Sequence, residues 1–364
     1  MNGISSVLAG MLLVIACLVG GIIAPIAFFA CVCAGVVADA VRFDPKSIST
    51  RRLRELQAIG VLHLPLLYLF IWSLGAGQFG VIDGAFVFGA AVIWFGQIAD
   101  RAACGLIRAG HRLGLIGQAS LLIGHRVSAK RLLHDPQIGT APDMSAPRLG
   151  ETFWQYALRL LSQEFTSGLT AETQKRRKHA HGLHPYLVYG VWTFTTLITS
   201  YALAGAIGLG AVLILSVLVS VQSLLNEYIE RYGLMRRVLP NGKYENFGSR
   251  HVWHPPTSPH AVAQNEEYAS GRFPVWPYSR ARMLRIALQP VQWHMEMSDR
   301  AAVWRIPATE HFDRFKSVDI TASSSAVAGQ MPSNLATWRH EMDFVLPVAQ
   351  RAMRTRIRSK HERE

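Results

Sequence analysis

The chain has 364 residues, half of them apolar and 17% charged, with 37 Lys and Arg against 24 Asp and Glu for a formal net charge of +13. Positive mean hydropathy, with the apolar residues gathered into long uncharged runs, is the profile of a polytopic membrane protein. It excludes a nucleic-acid reading of the basic excess, because Lys and Arg cluster beside the apolar runs, as positive-inside topology requires, and not along one soluble face.

Residues 5–38 carry no charged side chain, too long a run for a signal-peptide core, and Met1 to Ser6 lack a basic n-region, so the segment is expected to stay as a membrane anchor. Gly20-Gly21 and Pro25 offer a break, which predicts a shortened hairpin with spans at about 7–20 and 22–38; a single kinked helix is the alternative, giving five spans in place of six. Arg42 to Glu55 is strongly basic and is expected to face the cytoplasm, followed by spans at about 59–76 and 79–99. The segment from Asp100 to His184 is basic and mixed. Within it Leu113 to Gly124 is apolar at helical spacing but too short to cross, so it should lie against the bundle or at the interface.

A second hairpin is predicted at about 185–204 and 207–225, joined near Gly205 to Gly210. Residues 240–306, rich in Pro, His, Trp and Arg, read as a compact cap, which closes a first unit of residues 1–306. Residues 307–364 read as a cytoplasmic linker and basic helical tail. The fold class is therefore all-α: a bundle of about six transmembrane helices in hairpins, with a cytoplasmic cap and a cytoplasmic C-terminus, in a bacterial inner membrane. Cys17, Cys31, Cys33 and Cys104 form no Cys-x-x-Cys pair and read as small apolar residues. No Gly-rich phosphate loop, nucleophile elbow or nucleic-acid module is present.

Four segments carry a family resemblance. Asn226-Glu227-Tyr228-Ile229-Glu230-Arg231-Tyr232-Gly233-Leu234, at the end of the last apolar run, resembles the Asn-Tyr-Ile-Glu-His-Tyr-Gly-Leu signature of the membrane-integral alkane hydroxylases, relatives of the fatty acid desaturases. Thr140-Ala141-Pro142-Asp143-Met144-Ser145-Ala146-Pro147-Arg148-Leu149-Gly150-Glu151 is similar to that family's Thr-Pro-x-Asp-Pro-Ala-Ser-x-Arg-x-Gly-Glu stretch. Leu239 to Glu245 and Ser249 to Trp253 resemble the segments after the signature helix, in the same order and at similar spacing.

The resemblance implies a di-iron site held by histidines at the cytoplasmic ends of the spans. Here the signature histidine is Arg231, whose guanidinium has no lone pair to donate to a metal. In the same register a first histidine motif falls on Asp100-Arg101-Ala102-Ala103-Cys104, and a second on Ala129 to Asp135, where only His134 remains. The last falls near Ser270 to Pro274, in a stretch from Ala261 to Trp293 that contains no histidine. Asp100, Cys104, Lys130, His134, Asp135 and Arg231 are thus the vestigial metal-site positions. Lys130 and Arg231 are expected to stand in for the metal charge by pairing with Asp100, Asp135 and Glu230; the alternative leaves all five solvated at the membrane surface. A single ion held by Asp100, Cys104, His134 and Asp135 is a further alternative, which the nearby cations oppose.

The expected function is an alkane hydroxylase-like membrane protein without a competent di-iron site and with no cofactor, acting as a partner subunit or as a binder of a long apolar ligand. Its expected partners are membrane lipids and another membrane protein or a second copy of itself. The enzyme alternative is terminal alkane hydroxylation with di-iron and electrons from rubredoxin. Phe70, Trp72, Phe86, Phe88, Trp94 and Trp192 are candidates to line an apolar tunnel or to fill the bundle.

Overall fold

The computed structural model describes residues 2–40, 50–179, 183–255 and 273–304. The segment Ser270 to Arg272, and the linker and tail from residue 307, lie outside the described residues. Residues 1–297 form one compact unit and residues 298–364 a second, of which 298–304 are described.

The uncharged N-terminal run folds as two helices, α1 (Asn2–Val19) and α2 (Ile23–Ala40). The chain turns at Gly20 and Gly21, whose φ angles of 66° and 58° lie in the left-handed region that glycine enters without steric cost. Pro25 does not break the run; it sits in the first turn of α2, where a missing backbone N–H is harmless. Ala9, Leu13, Ala16 and Cys17 of α1 and Ala24, Ala27, Cys31 and Ala34 of α2 are buried at helical spacing, and their small side chains let the backbones approach closely, as membrane helix pairs require.

Helix α3 (Thr50–Gly75) is long and apolar enough to cross a bilayer. So is the continuous stretch Val81–Arg108, built from α4 (Val81–Ile93), a π turn (Trp94–Ala99) and α5 (Asp100–Arg108). Leu66, Leu67 and Phe70 of α3 pack with Trp94 and Phe95 in the bundle core. His63, at the same level, shares a 2.9 Å hydrogen bond with Ser120 on α6 (Arg112–Ser120), the short apolar helix that covers α3 and α5 without crossing. There follow α7 (His125–Ala129), a second π turn (Lys130–His134), α8 (Asp135–Gln137) and α9 (Phe153–His179).

Helix α10 spans Pro185–Arg231, the third stretch able to cross a membrane, but its backbone leaves helical geometry at Ala204 and Gly205. Eight residues of straight helix would separate Ser200 from Gly208 by about 12 Å, yet a Cβ on Gly208 would collide with the Ser200 carbonyl. The chain therefore reverses at Gly205, whose φ of 57° permits it, and the two arms of α10 form a hairpin. After α10 come a single 3-10 turn (Ser249–His251), α11 (Arg280–Ala287) and α12 (Pro290–Trp304), with two isolated β-bridges and no strand among the described residues. The chain is an integral membrane protein of helical-bundle class.

The tight reversal gives opposite expectations for two nearby glycines. Gly208→Ala must displace the Ser200 backbone and should destabilise by about 1–3 kcal/mol. Gly210, where a Cβ would meet nothing within 4 Å, should tolerate alanine or gain up to about 1 kcal/mol from helix propensity. Thermal unfolding of the two variants in detergent checks this; midpoints moving together would contradict the hairpin.

Candidate functional site

The site forms where α7, the second π turn, α9 and the C-terminal end of α10 meet. Arg126, Lys130 and His134 are spaced by four residues. A π turn bonds i to i+5 and so holds more than four residues per turn, which keeps these three side chains on one face. Opposite them, α9 buries Tyr156, Leu160, Glu164, Gly168 and Glu172, again every fourth residue. Gly168 is needed there, because a Cβ would press on the Ala129 backbone and the Tyr186 hydroxyl; its absence lets α7 approach α9 closely.

The result is a chain of opposite charges that runs from fully buried Glu164 to Lys130, whose side chain is 31% exposed. Arg126, 3% exposed, donates from Nε to Glu164 Oε2 at 2.9 Å and from Nη2 to both oxygens of Glu227 at 3.1 and 3.2 Å. Lys130 Nζ stands 2.5 Å from Glu227, and Arg231, one turn beyond Glu227 on α10, lies 3.7 Å from the same carboxylate. Arg231 also reaches Asp143 at 3.7 Å and donates to Ser145 Oγ at 3.0 Å. Glu227 is therefore shared by three cations.

Asp143 comes from the Thr140 to Glu151 loop, and that loop's purpose is visible in its bonds. The Asp143 carboxylate accepts from the backbone N–H groups of Gly139 (2.8 Å) and Ser145 (2.9 Å) and from Ser145 Oγ (2.6 Å). Arg159 of α9 clamps the loop by donating to the carbonyls of Met144 and Ala146 and, through two nitrogens, to Glu151 at 2.7 and 2.8 Å. His134 sits between Asp143 and Glu164, 3.5 Å from each, too far for a well-formed hydrogen bond and close enough for strong charge attraction.

Burial disfavours charge on every member, but the neighbours outweigh it. Burial opposes a charged His134, yet Asp143 and Glu164 hold its pKa above the ordinary value. Against the same penalty, His134 and Arg231 with the Ser145 and Gly139 donors lower Asp143, and Arg126 with His134 and Lys130 lowers Glu164. Arg126 and Lys130 are raised by Glu164 and Glu227 after overcoming desolvation, so both stay cationic at any physiological pH.

The end of α10 is closed by aromatic residues from the cap. Trp276 Nε1 donates to the Ile229 carbonyl (3.1 Å), the Trp253 N–H to Glu230 (2.8 Å) and Trp253 Nε1 to Tyr232 (2.9 Å), filling acceptors that a helix end leaves open. Tyr228, Tyr232 and Trp293 pack in tilted and edge-to-face pairs at ring separations of 5.1–5.3 Å. His251 and His254 are engaged locally, by Glu245 at 2.8 Å and the Ser249 carbonyl at 2.9 Å.

Of the positions named from sequence, the structure brings Lys130, His134 and Arg231 into this cluster. Their carboxylate partners are Glu227, Glu164 and Asp143, and not Asp135 or Glu230. Asp135 is exposed, and Glu230 faces the cap, 3.4 Å from Arg280. Asp100 stands at the rim, accepting a 2.6 Å hydrogen bond from Gln118 with Arg126 and Lys130 beyond it, and Cys104 lies one turn along the same helix. Arg126, Asp143, Glu164 and Glu227 were not singled out from the sequence. The available signal was spacing: Glu227 precedes Arg231 by one turn, and Arg126 precedes Lys130 by another.

The donor set does not fit a di-iron centre. One histidine remains, the buried carboxylates are committed to guanidinium and ammonium groups, and no three His, Cys, Asp or Glu side chains among the described residues converge as a metal would need.

No family model matches the chain. It is similar to alkane 1-monooxygenase 2 of Pseudomonas aeruginosa, 26% identical over 212 residues, covering 52% of this chain and 56% of that protein. It is also similar to alkane 1-monooxygenase 1 of Alcanivorax borkumensis, 23% identical over 305 residues, covering 71% of this chain and 70% of that protein. The chain thus spans little more than half the length of the first relative and more of the second. These distant similarities describe an alkane hydroxylase-like membrane protein.

Arg126→Met leaves Glu164 and Glu227 without their shared cation and should cost about 3–5 kcal/mol, as removing one partner of a buried pair does. Arg51→Met, which removes a surface pair between the 74% exposed Arg51 and Glu55, should scarcely register. Chemical denaturation in mixed micelles measures both. The pH dependence has a definite sign. Because the folded-state pKa of His134 is raised, its contribution is complete below the unfolded value, about 6.5, and is lost as pH rises through the higher folded value. Asp143 and Glu164 are lowered, so their contribution holds above the unfolded carboxylate values and is lost as pH falls through the folded ones. His134→Gln should flatten the alkaline limb of the midpoint-against-pH curve and leave the acid limb in place.

Proposed function

We propose that the ion cluster has taken the place of the metal site and that the chain acts without catalysing oxygen chemistry, as a partner subunit in a membrane complex or as the holder of a long apolar ligand. The observation that carries this reading is the position of Arg126, Lys130 and Arg231 around Glu227. A divalent iron brought to this carboxylate would have to displace three cations already paired with it, and the histidine that stands between the cluster's carboxylates among the described residues is His134. The three carboxylates Asp143, Glu164 and Glu227 are already balanced by the three cations Arg126, Lys130 and Arg231. The same reading puts the charged end of the bundle and the C-terminus in the cytoplasm of a bacterial inner membrane, on the support of the basic residues that flank the apolar runs.

The enzyme reading, terminal hydroxylation of alkanes through di-iron and rubredoxin, is favoured by the names of the two relatives alone. Fold-level likeness transfers an activity only when the site residues come with it.

Purified protein supplied with octane, rubredoxin, its reductase and NADH should form no octanol above the no-protein control and should contain iron well below one atom per chain by elemental analysis. Robust turnover with bound iron would overturn the proposal. Purification from native membranes separates the two remaining roles: a stoichiometric second protein supports the subunit role, and a retained hydrocarbon supports the ligand role.

A further inference from the structure

Helix α9 has a second face that the ion cluster does not use. Trp154, Leu158, Leu161, Phe165 and Leu169 recur at spacings of four, three, four and four residues, and all five are exposed, between 36% and 71%. The adjoining column, Gln155, Ser162, Thr166, Thr170 and Gln174, is exposed and polar. An outward surface divided lengthwise into an apolar and a polar strip belongs to a helix lying in the plane of a membrane interface, half in hydrocarbon and half in water.

Along this stripe, between α9 and the first turns of α10, runs an open cleft of about 660 Å³, within the size range of ligand sites. Phe165 and Leu169 form one wall, Leu187 and Gly190 the other, and Leu122 lies at its base. The polar atoms around it are turned to other work. Thr173 Oγ1 donates to the Leu169 carbonyl (2.8 Å), Tyr186 OH to the Phe165 carbonyl (3.1 Å) and Thr193 Oγ1 to the Ala119 carbonyl (3.1 Å). Tyr189 OH pairs with Ser128 (2.9 Å), and His184 Nδ1 accepts from the Tyr186 N–H (3.2 Å). Apart from the His125 imidazole, which packs edge-on against Phe165 at 5.7 Å, the wall left to an occupant is hydrocarbon.

Two features say what that occupant is. The cleft opens onto the exposed surface of the α10 span, where Leu187, Val191 and Phe194 are all more than 60% exposed, so it fills sideways from the bilayer. From His184 to Thr193 it follows about 13 Å of helix, which suits an extended chain. At its His184 end, where Thr173 and His184 lie 3.4 Å apart, Arg176 and Arg177 follow Thr173 by three and four residues, on the same face one turn on, with Lys175 at the same level of the helix; Lys175 and Arg177 are exposed. Cations at the mouth of a hydrocarbon-lined cleft match an anionic headgroup.

We propose that this cleft is a binding site for one anionic membrane phospholipid, with one acyl chain laid between α9 and α10 and the phosphate headgroup at Lys175 and Arg177. The site is separate from the ion cluster and stands whether or not the cluster binds metal.

The test is native mass spectrometry of the full chain in detergent, titrated with phosphatidylglycerol or phosphatidylcholine of the same acyl composition. Wild type should retain one phosphatidylglycerol per chain with a clear preference over phosphatidylcholine. Gly190→Phe, at a position where a Cβ meets nothing within 4 Å, fills the cleft and should abolish the retained adduct. The Lys175→Glu, Arg177→Glu double variant should keep lipid binding and reduce the headgroup preference about tenfold. Equal retention by Gly190→Phe, equal affinity of wild type for both lipids, or displacement of the phospholipid by free oleate at matched concentration would each overturn the proposal. Thermal midpoints report whether the variants are folded, and should Gly190→Phe not fold, the double variant, altered only at exposed positions, still decides.

Discussion

A carboxylate buried beneath the end of a membrane helix has to be neutralised, and Glu227 is neutralised three times over, by Arg126, Lys130 and Arg231. An unpaired charge here costs several kcal/mol, so the position of each cation is constrained by the others. Much of the local architecture follows from that constraint. The π turn at Lys130–His134 keeps three side chains at four-residue spacing on one face, Gly168 brings α9 close enough for Glu164 to reach Arg126, and the Arg159 clamp delivers Asp143. The cap completes the arrangement by bonding the open carbonyls of α10, which fixes the helix end that carries Glu227 and Arg231.

The membrane bundle was legible because its causes are local. Uncharged runs, the Gly20-Gly21 pair and the glycines after Ala204 act through hydropathy and backbone freedom, both of which can be read one window at a time. The length of single elements was less legible. Val81–Arg108 continues through a π turn and carries Asp100 and Cys104 on its last turns, and within the π turn Gly96 leaves Gln222 the space that a side chain would take. A close approach between segments more than 100 residues apart has no signature in either segment alone.

At the site, the carboxylates in direct contact with Lys130 and Arg231 are Glu227 and Asp143, which the motif register alone does not single out. Lys130 and Arg231 were found by register against known motifs, but a partner is chosen by helix face. Glu227 and Glu230 lie in one motif three residues apart, and only the first stands one turn before Arg231 on the same side; the second turns to Arg280 and the cap. Asp135 adjoins His134 in sequence, yet the π turn ends between them and the next turn points outward to solvent. Asp143 and Glu164 reach the cluster from a loop and a helix that only the tertiary fold brings there.

The two faces of α9 place conflicting demands on its depth. Its inward column, Glu164 and Glu172, must stay with Arg126, Ser128 and Arg131, while its outward column of Trp154, Leu158, Leu161, Phe165 and Leu169 must stay in contact with hydrocarbon. A helix moved towards water would strip lipid from the stripe, and one moved deeper would take its polar column and the basic residues from 175 onward out of water. Both costs rise with displacement, so one position satisfies them together. Membrane depth and ion pairing therefore fix the same helix, and a lipid chain packed along Phe165 and Leu169 bears on the element that holds Glu164 in the cluster. The geometry of the site is thus held from two directions, by charge pairing on one side of α9 and by the bilayer on the other.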